Sequence, residues 1–175
     1  MISEKLLNEI DRGRLGLNHG ISMKLPKLEG IIDGVTRETY TLILSNSGAG
    51  KTSFALYAYV YRPLMEHLDD DDFKVLYFSL EMGEVALYIK LLSIYIFETY
   101  GVQLSFKKIL SREKEYILSE EHYDLVKQCM PWIDKISKKL EIFDKKVTPN
   151  KVYAILKTRL EEMGTFSESE TRLLY

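Results

Sequence analysis

The sequence contains little of what marks a secreted, fibrous or disordered chain. Its single cysteine, Cys129, excludes an internal disulfide, and only 10 glycines and 4 prolines occur among 175 residues. With 46% hydrophobic residues, the composition is too apolar for a disordered or collagen-like chain. The length suits one domain of ordinary size or part of a longer protein, and it excludes two independent enzymatic domains.

Neither sign of charge is in excess. Lys and Arg total 24 against 26 Asp and Glu, so a net charge of −2 offers nucleic acid no global basic field. Glu4 and Glu9 stand where a secretory signal would be basic and then apolar. The apolar stretch from Val85 to Phe97 is shorter than the roughly 20 residues that span a bilayer. These features favour a reducing cytoplasm and no membrane partner.

Strand and helix patterns alternate along most of the chain. Residues 1–34 combine a short helical pattern with the glycine-punctuated DRGRLGLNHGIS, which predicts an N-terminal arm or linker. Residues 35–175 contain three strand-like runs, TYTLIL at 39–44, KVLYFSL at 74–80 and LEIFD at 140–144. The predicted fold is therefore α/β, with a parallel sheet flanked by helices.

The predicted helices begin at recognisable residues. Ser119 precedes two glutamates, and Thr148 precedes Pro149, as at helix starts. Pro131 is predicted to begin a second segment of the first of these helices, and Gly164 to end the second. The stretch from 85 to 97 is apolar nearly all round, which predicts a helix buried in a core or against a neighbouring subunit.

A phosphate-binding motif lies between the first predicted strand and the helix after it. The sequence GAGKT at 48–52 matches the second half of G-x-x-x-x-G-K-[ST], and Ser45 stands at the first glycine of that pattern. Glycines let backbone N–H groups turn toward a phosphate, and the helix N-terminus adds its positive dipole. Lys51 can reach the β and γ phosphates, and the Thr52 hydroxyl can ligate Mg²⁺. The predicted nucleotide-binding residues are Asn46, Ser47, Gly48, Ala49, Gly50, Lys51, Thr52 and Ser53.

Glu81 directly follows the second predicted strand. In a parallel sheet the ligand lies beyond the carboxyl ends of the strands, so Glu81 and the glycine loop are expected to face one crevice. A carboxylate there can polarise the water that attacks a γ phosphate. The alternative is an acid placed at a helix N-terminus for its dipole.

The order of these motifs resembles the ATPase domain of DnaB-type replicative helicases, which are RecA-like P-loop ATPases. The resemblance is carried by GIS at 20–22, TLILSNSGAGKTSFAL and VLYFSLEM, and it covers about residues 21–163. It implies a RecA-like core that binds ATP and Mg²⁺. Lys51 matches the Walker A lysine, Thr52 the Mg²⁺ ligand and Glu81 the catalytic glutamate.

The resemblance also implies elements beyond this stretch. A Walker B strand, a sensor glutamine, DNA-binding loops and an arginine finger would follow Gly164, after which only eleven residues remain. The expectation is the front portion of a phage-like helicase motor that is inactive alone and lacks a central strand. The complete protein would form a hexameric ring on single-stranded DNA, with a primase or loader as partner, in the host cytoplasm if phage-encoded.

Three other functions remain open. A recombinase-like or circadian-clock-like ATPase shares the loop and the glutamate, and a hydrolysis-dead assembly or loader module would retain the motif without turnover. A small-molecule kinase is disfavoured because the sequence has no arginine-rich lid.

Other polar and aromatic groups have simpler interpretations. Asp69 to Asp72 are expected to form a solvated turn, and three histidines lack metal-ligand spacing. Tyrosines at helical spacing are expected to pack rather than stack on bases. A lysine-rich stretch is expected to be a solvated face, with phosphate contact as the alternative; it contains Lys135, Lys138, Lys139, Lys145 and Lys146.

Overall fold

The computed structural model describes residues 1–36, 39–112 and 114–163. Within these ranges the chain forms two compact units, Met1–Glu66 and residues 67–163. Of the described residues 56% are helical, and they contain a small parallel sheet of two strands. The predicted mixture of helices and parallel strands is confirmed. The predicted boundary between an arm and a domain at residue 34 stays a prediction.

The first unit is helical and contains one antiparallel bridge. Its elements are α1 (Ile2–Arg14), α2 (Pro26–Glu29), α3 (Lys51–Ala55), a π-helical segment (Leu56–Tyr61) and α4 (Arg62–Glu66). Ile21 and Val35 exchange both backbone hydrogen bonds, at 3.0 and 2.9 Å. Gly34 beside them has a φ of 83°, and a Cβ there would lie 2.3 Å from the Ile21 carbonyl oxygen. Only glycine therefore permits this bridge.

The predicted strand at 39–44 is wrong. The segment forms no β-ladder, and Tyr40, Leu42 and Leu44 are 87%, 64% and 80% exposed. β-forming side chains define a strand only where a neighbouring strand supplies hydrogen-bond partners. Within the described residues the sheet has two strands, and this segment is neither of them.

The second unit contains the sheet. Its strands are β1 (Val75–Phe78) and β2 (Leu140–Phe143), which pair in parallel with Val75 opposite Leu140 and Phe78 opposite Phe143. The two phenylalanine rings stack with their centroids 4.7 Å apart. Both strands were predicted from the sequence, and both are confirmed. The helices are α5 (Glu84–Tyr100), α6 (Phe106–Ile109), α7 (Glu120–Gln128), α8 (Met130–Ser137) and α9 (Pro149–Met163), with a 3₁₀ turn at Lys114–Tyr116.

The predicted helix starts are confirmed by hydrogen bonds. The Ser119 hydroxyl accepts from the His122 N–H, and the Thr148 hydroxyl accepts from the Lys151 N–H, each at 3.4 Å. Pro131 lies in the first turn of α8. Gly164, the predicted end of α9, lies outside the described residues.

The core of the second unit is built around one face of α5. Leu92, Ile96, Leu104 and Cys129 form a buried cluster, and burial raises the pKa of the Cys129 thiol. The first turn of α5 lies outside this core, and Val85 in that turn is 71% exposed. Neither α5 nor any other helix in the described ranges is long and apolar enough to cross a membrane.

An ion pair connects α9 to β2. The Arg159 guanidinium donates to both carboxylate oxygens of Glu141, at 2.7 and 2.6 Å, and to Glu162 at 2.7 Å. The Arg159 hydrogen bonds hold the pKa of the Glu141 carboxyl below its usual value. The bidentate geometry fixes the direction of both side chains as well as neutralising their charges.

Truncating the core side of α5 is expected to destabilise the second unit. Ile96→Ala removes a fully buried side chain and leaves a cavity, which costs about 2–5 kcal/mol. Val85→Ala, at the exposed first turn of the same helix, is the matched control and should stay within about 0.5 kcal/mol. Urea unfolding followed by circular dichroism measures both. Equal losses in the two variants would contradict this assignment of the core.

Candidate nucleotide-binding site

The glycine loop of the first unit has the curled backbone that its motif predicts. Gly48 and Gly50 have φ values of 79° and 88°, which side-chain-bearing residues rarely adopt. A Cβ on either would meet no atom within 4 Å, so the backbone conformation and not lack of space requires glycine. The helix begins immediately afterwards, where the Phe54 N–H donates to the Gly50 carbonyl at 2.9 Å. The loop therefore brings its backbone N–H groups next to the N-terminus of a helix, and these two features together favour binding of an anion.

The Lys51 side chain folds back over this loop. Its ammonium donates to the carbonyl oxygens of Ser45 at 2.8 Å and Asn46 at 3.0 Å. These are neutral acceptors at the exposed start of the loop. A phosphate oxygen would be a charged acceptor for the same ammonium, and it adds a Coulomb attraction that a neutral carbonyl lacks. The Lys51 ammonium can therefore leave these two carbonyl oxygens and bind an anion at the loop.

The other predicted loop residues lie together with Lys51 along residues 46–53. Asn46, Ser47 and Ala49 are exposed, and the Ala49 N–H donates to the Asn46 carbonyl at 3.3 Å. Thr52 is half-buried in the first turn of α3, and Ser53 is exposed. From α3 the helix continues through the π-helical segment, whose buried residues Leu56, Ala58, Val60 and Tyr61 anchor it.

The described residues offer no metal site built from protein side chains alone. The part of the chain that the structure describes holds no group of three or more His, Cys, Asp or Glu residues that could bind a metal ion. Mg²⁺ at nucleotide sites is held by one or two protein oxygens and the substrate phosphates, so the Thr52 hydroxyl fits that donor set. The Mg²⁺ ligand role of Thr52 stays a prediction.

Glu81 lies in the second unit, in the turn after β1. The Ser79 hydroxyl fixes this turn by donating to the Met82 carbonyl at 2.6 Å and accepting from the Met82 N–H at 3.1 Å. The Glu81 carboxylate is exposed and forms no ion pair with any described residue. Burial, and then the Glu81 charge, raise the pKa of Tyr77. The turn therefore presents a carboxylate that is available to react.

Sequence reasoning missed the residue that caps α5. The Asp144 carboxylate, directly after β2, accepts from the Glu84 N–H at the start of α5 at 3.1 Å. The alternative interpretation of Glu81, an acid serving the helix N-terminus, loses support because Asp144 holds that place and Glu84 is the acid of the first turn. The sequence did carry a signal, since Asp144 follows its strand as Glu81 follows the neighbouring one.

The acidic turn at residues 69–72 also has a partner that was missed. The Asp69 carboxylate accepts from the Lys135 ammonium at 2.5 Å, and this bond lowers the pKa of Asp69. The turn is exposed, as predicted, and it neutralises one cation of the lysine-rich stretch.

Comparisons of the chain with protein-family models, with curated proteins and with solved structures gave no match. The resemblance to DnaB-type helicases accordingly stays a prediction, carried by the motifs of the sequence alone.

Removal of the Asp144 cap is expected to lower stability through one hydrogen bond. Asp144→Ala loses the acceptor for the Glu84 N–H and should cost about 0.5–2 kcal/mol. Asp144→Asn keeps an acceptor oxygen and is the matched control, with a much smaller loss. Urea unfolding measures both variants. If Asn and Ala cost the same, the hydrogen bond is not the stabilising contact.

Proposed function

We propose that this chain is the ATP-binding motor portion of a DnaB-type, RecA-like replicative DNA helicase. The observation that carries the proposal is the curled GAGKT loop, with the Lys51 ammonium resting on the carbonyls of Ser45 and Asn46. Glycines at positive φ, a lysine within the loop and a helix that starts at its end form the combination that cradles phosphates.

Different groups of the loop bind different parts of ATP and its metal ion. The backbone N–H groups and the start of α3 hold the phosphates of ATP, and Lys51 leaves the two loop carbonyls to neutralise the β and γ phosphates. The Thr52 hydroxyl holds Mg²⁺, which neutralises charge on the same phosphates when bound. The Lys51 ammonium exchanges its two carbonyl acceptors for phosphate oxygens when ATP binds. Its positive charge gives the site its preference for anions.

Glu81 is proposed as the group that activates water. Its carboxylate accepts a proton from the water that attacks the γ phosphate, and the Ser79 bonds to Met82 hold the turn that presents it. In the complete protein an arginine of the adjacent subunit stabilises the charge of the transition state. ATP hydrolysis then drives unwinding by a hexameric ring on single-stranded DNA, with a primase or loader as partner.

Exposed apolar surfaces support assembly with other subunits. α1 buries none of its residues, and its apolar side chains lie at helical spacing on the exposed helix, at Ile2, Leu6, Leu7 and Ile10. The same surface favours a second candidate, a hydrolysis-dead assembly module. Binding of a partner that is unchanged by Lys51→Ala would favour that candidate over the motor.

Equilibrium binding of a fluorescent ATP analogue with Mg²⁺ tests the proposed site. Lys51→Ala removes charge-assisted bonds worth about 1.5–3 kcal/mol and should weaken binding about tenfold or more. Lys145→Ala, an exposed lysine outside the loop, is the matched control and should bind as the unchanged chain does. Thr52→Ala should reduce the gain in affinity that Mg²⁺ gives.

Two results would contradict the proposal. One is the absence of binding to a chain that circular dichroism shows to be folded, and the other is an equal effect of Lys51→Ala and Lys145→Ala. The first result would leave the assembly module as the better account.

A further inference from the structure

The second unit contains a cavity that the phosphate loop does not involve. Its volume is about 320 Å³, and it lies along β2, between that strand and the start of α5. The charged and aromatic side chains lining it are Lys74, Glu84, Tyr88, Lys138, Lys139 and Glu141. Small-ligand pockets begin at about 300 Å³, so the cavity is large enough for a small molecule.

Strand register brings two of these lysines together. Lys74 and Lys139 are the residues before Val75 and Leu140, which pair across the ladder, and the Val75 N–H donates to the Lys139 carbonyl at 2.8 Å. Like charges on neighbouring strands repel each other. Lys138 adds a third cation to the same cavity. This concentration of positive charge favours an anion between the lysines.

Lys139 is the strongest single indication that the cavity binds an anion. Its side chain belongs to a residue that is only 9% exposed, and its ammonium donates to the backbone carbonyl of Asp70. An ammonium has three donors, so Lys139 can bind a further acceptor beside the Asp70 carbonyl. The charges of Asp69 and Asp70 act on Lys139 from a distance. Each of these carboxylates has a closer partner, since Lys135 lies 2.5 Å from Asp69 and His67 lies 3.2 Å from Asp70. Within the described residues Lys139 forms no ion pair.

The acids of the cavity do not cancel this charge. Arg159 binds both carboxylate oxygens of Glu141 and also pairs with Glu162, so it offsets part of the charge of Glu141. Glu84 and Glu141 are then two carboxylates against three lysines. The Tyr88 hydroxyl donates to the Leu140 carbonyl at 3.1 Å, which fixes the aromatic wall of the cavity.

We propose that this cavity is a second anion site, which binds a small ligand bearing a phosphate or pyrophosphate group through Lys74, Lys138 and Lys139. The site does not depend on the proposed ATPase activity, because none of its residues belongs to the glycine loop. Its ligand is held by ammonium groups alone, so charge and size rather than a base or sugar select it.

Isothermal titration of inorganic pyrophosphate into the Lys51→Ala chain tests this site with the phosphate loop disabled. One molecule of pyrophosphate is expected to bind per chain. Lys138→Glu, added to Lys51→Ala, should weaken that binding at least tenfold. Lys146→Glu makes the same charge change at an exposed lysine that does not line the cavity, and it should leave the affinity within twofold.

A second variant keeps the test informative. Lys139→Met removes a buried charge and can unfold the chain, whereas Lys74→Ala changes an exposed side chain and should weaken binding without loss of the folded state. Absence of pyrophosphate binding, or equal effects of Lys138→Glu and Lys146→Glu, would overturn the proposal. Binding of a short oligothymidylate but not of pyrophosphate or AMP would also overturn it, in favour of a nucleic-acid surface.

Discussion

The parallel pairing of β1 with β2 is the constraint on which the second unit depends. Four residues of each strand align one to one, so whatever precedes or follows one strand lies beside its counterpart on the other. At the carboxyl ends this places Asp144 within reach of the Glu84 N–H and so fixes the start of α5 after the Glu81 turn. At the amino ends it places Lys74 beside Lys139. One strand register therefore places acidic groups together at one edge of the sheet and lysines together at the other.

The polarity of the ladder explains why the two edges differ. At the carboxyl edge the Ser79 hydroxyl holds the turn after β1, and the Asp144 carboxylate caps α5. The Glu81 carboxylate at the same edge forms no ion pair with any described residue. The amino edge carries cations, balanced in part by the acidic turn through Asp69 and Lys135. In parallel sheets, ligands usually bind beyond the carboxyl ends. The three lysines of the cavity instead precede the strands, at the other edge of the sheet.

Much of the local structure could be predicted from the sequence, because local rules determine it. The capping residues Ser119 and Thr148, the positive φ values of the GAGKT loop and the β-forming runs at β1 and β2 all follow from side chains and their immediate neighbours. The strand predicted at residues 39–44 is wrong for the opposite reason, because strand formation depends on contacts that are not local. A strand requires a hydrogen-bonding neighbour, and composition alone does not reveal one. The contacts of Asp144 and Lys139 could not be predicted because they join residues that are 60 and 69 positions apart in the sequence.

The central claim is that the curled loop around Lys51 binds the phosphates of ATP. Two-dimensional ¹⁵N–¹H NMR of the chain, recorded as ATP and Mg²⁺ are added, tests it most directly because each loop amide reports separately. The account predicts that the largest shift changes fall on the amides of residues 46–53, whose N–H groups and helix start would receive the phosphates. Unchanged loop amides in a folded chain, or changes confined to residues lining the lysine cavity, would contradict it.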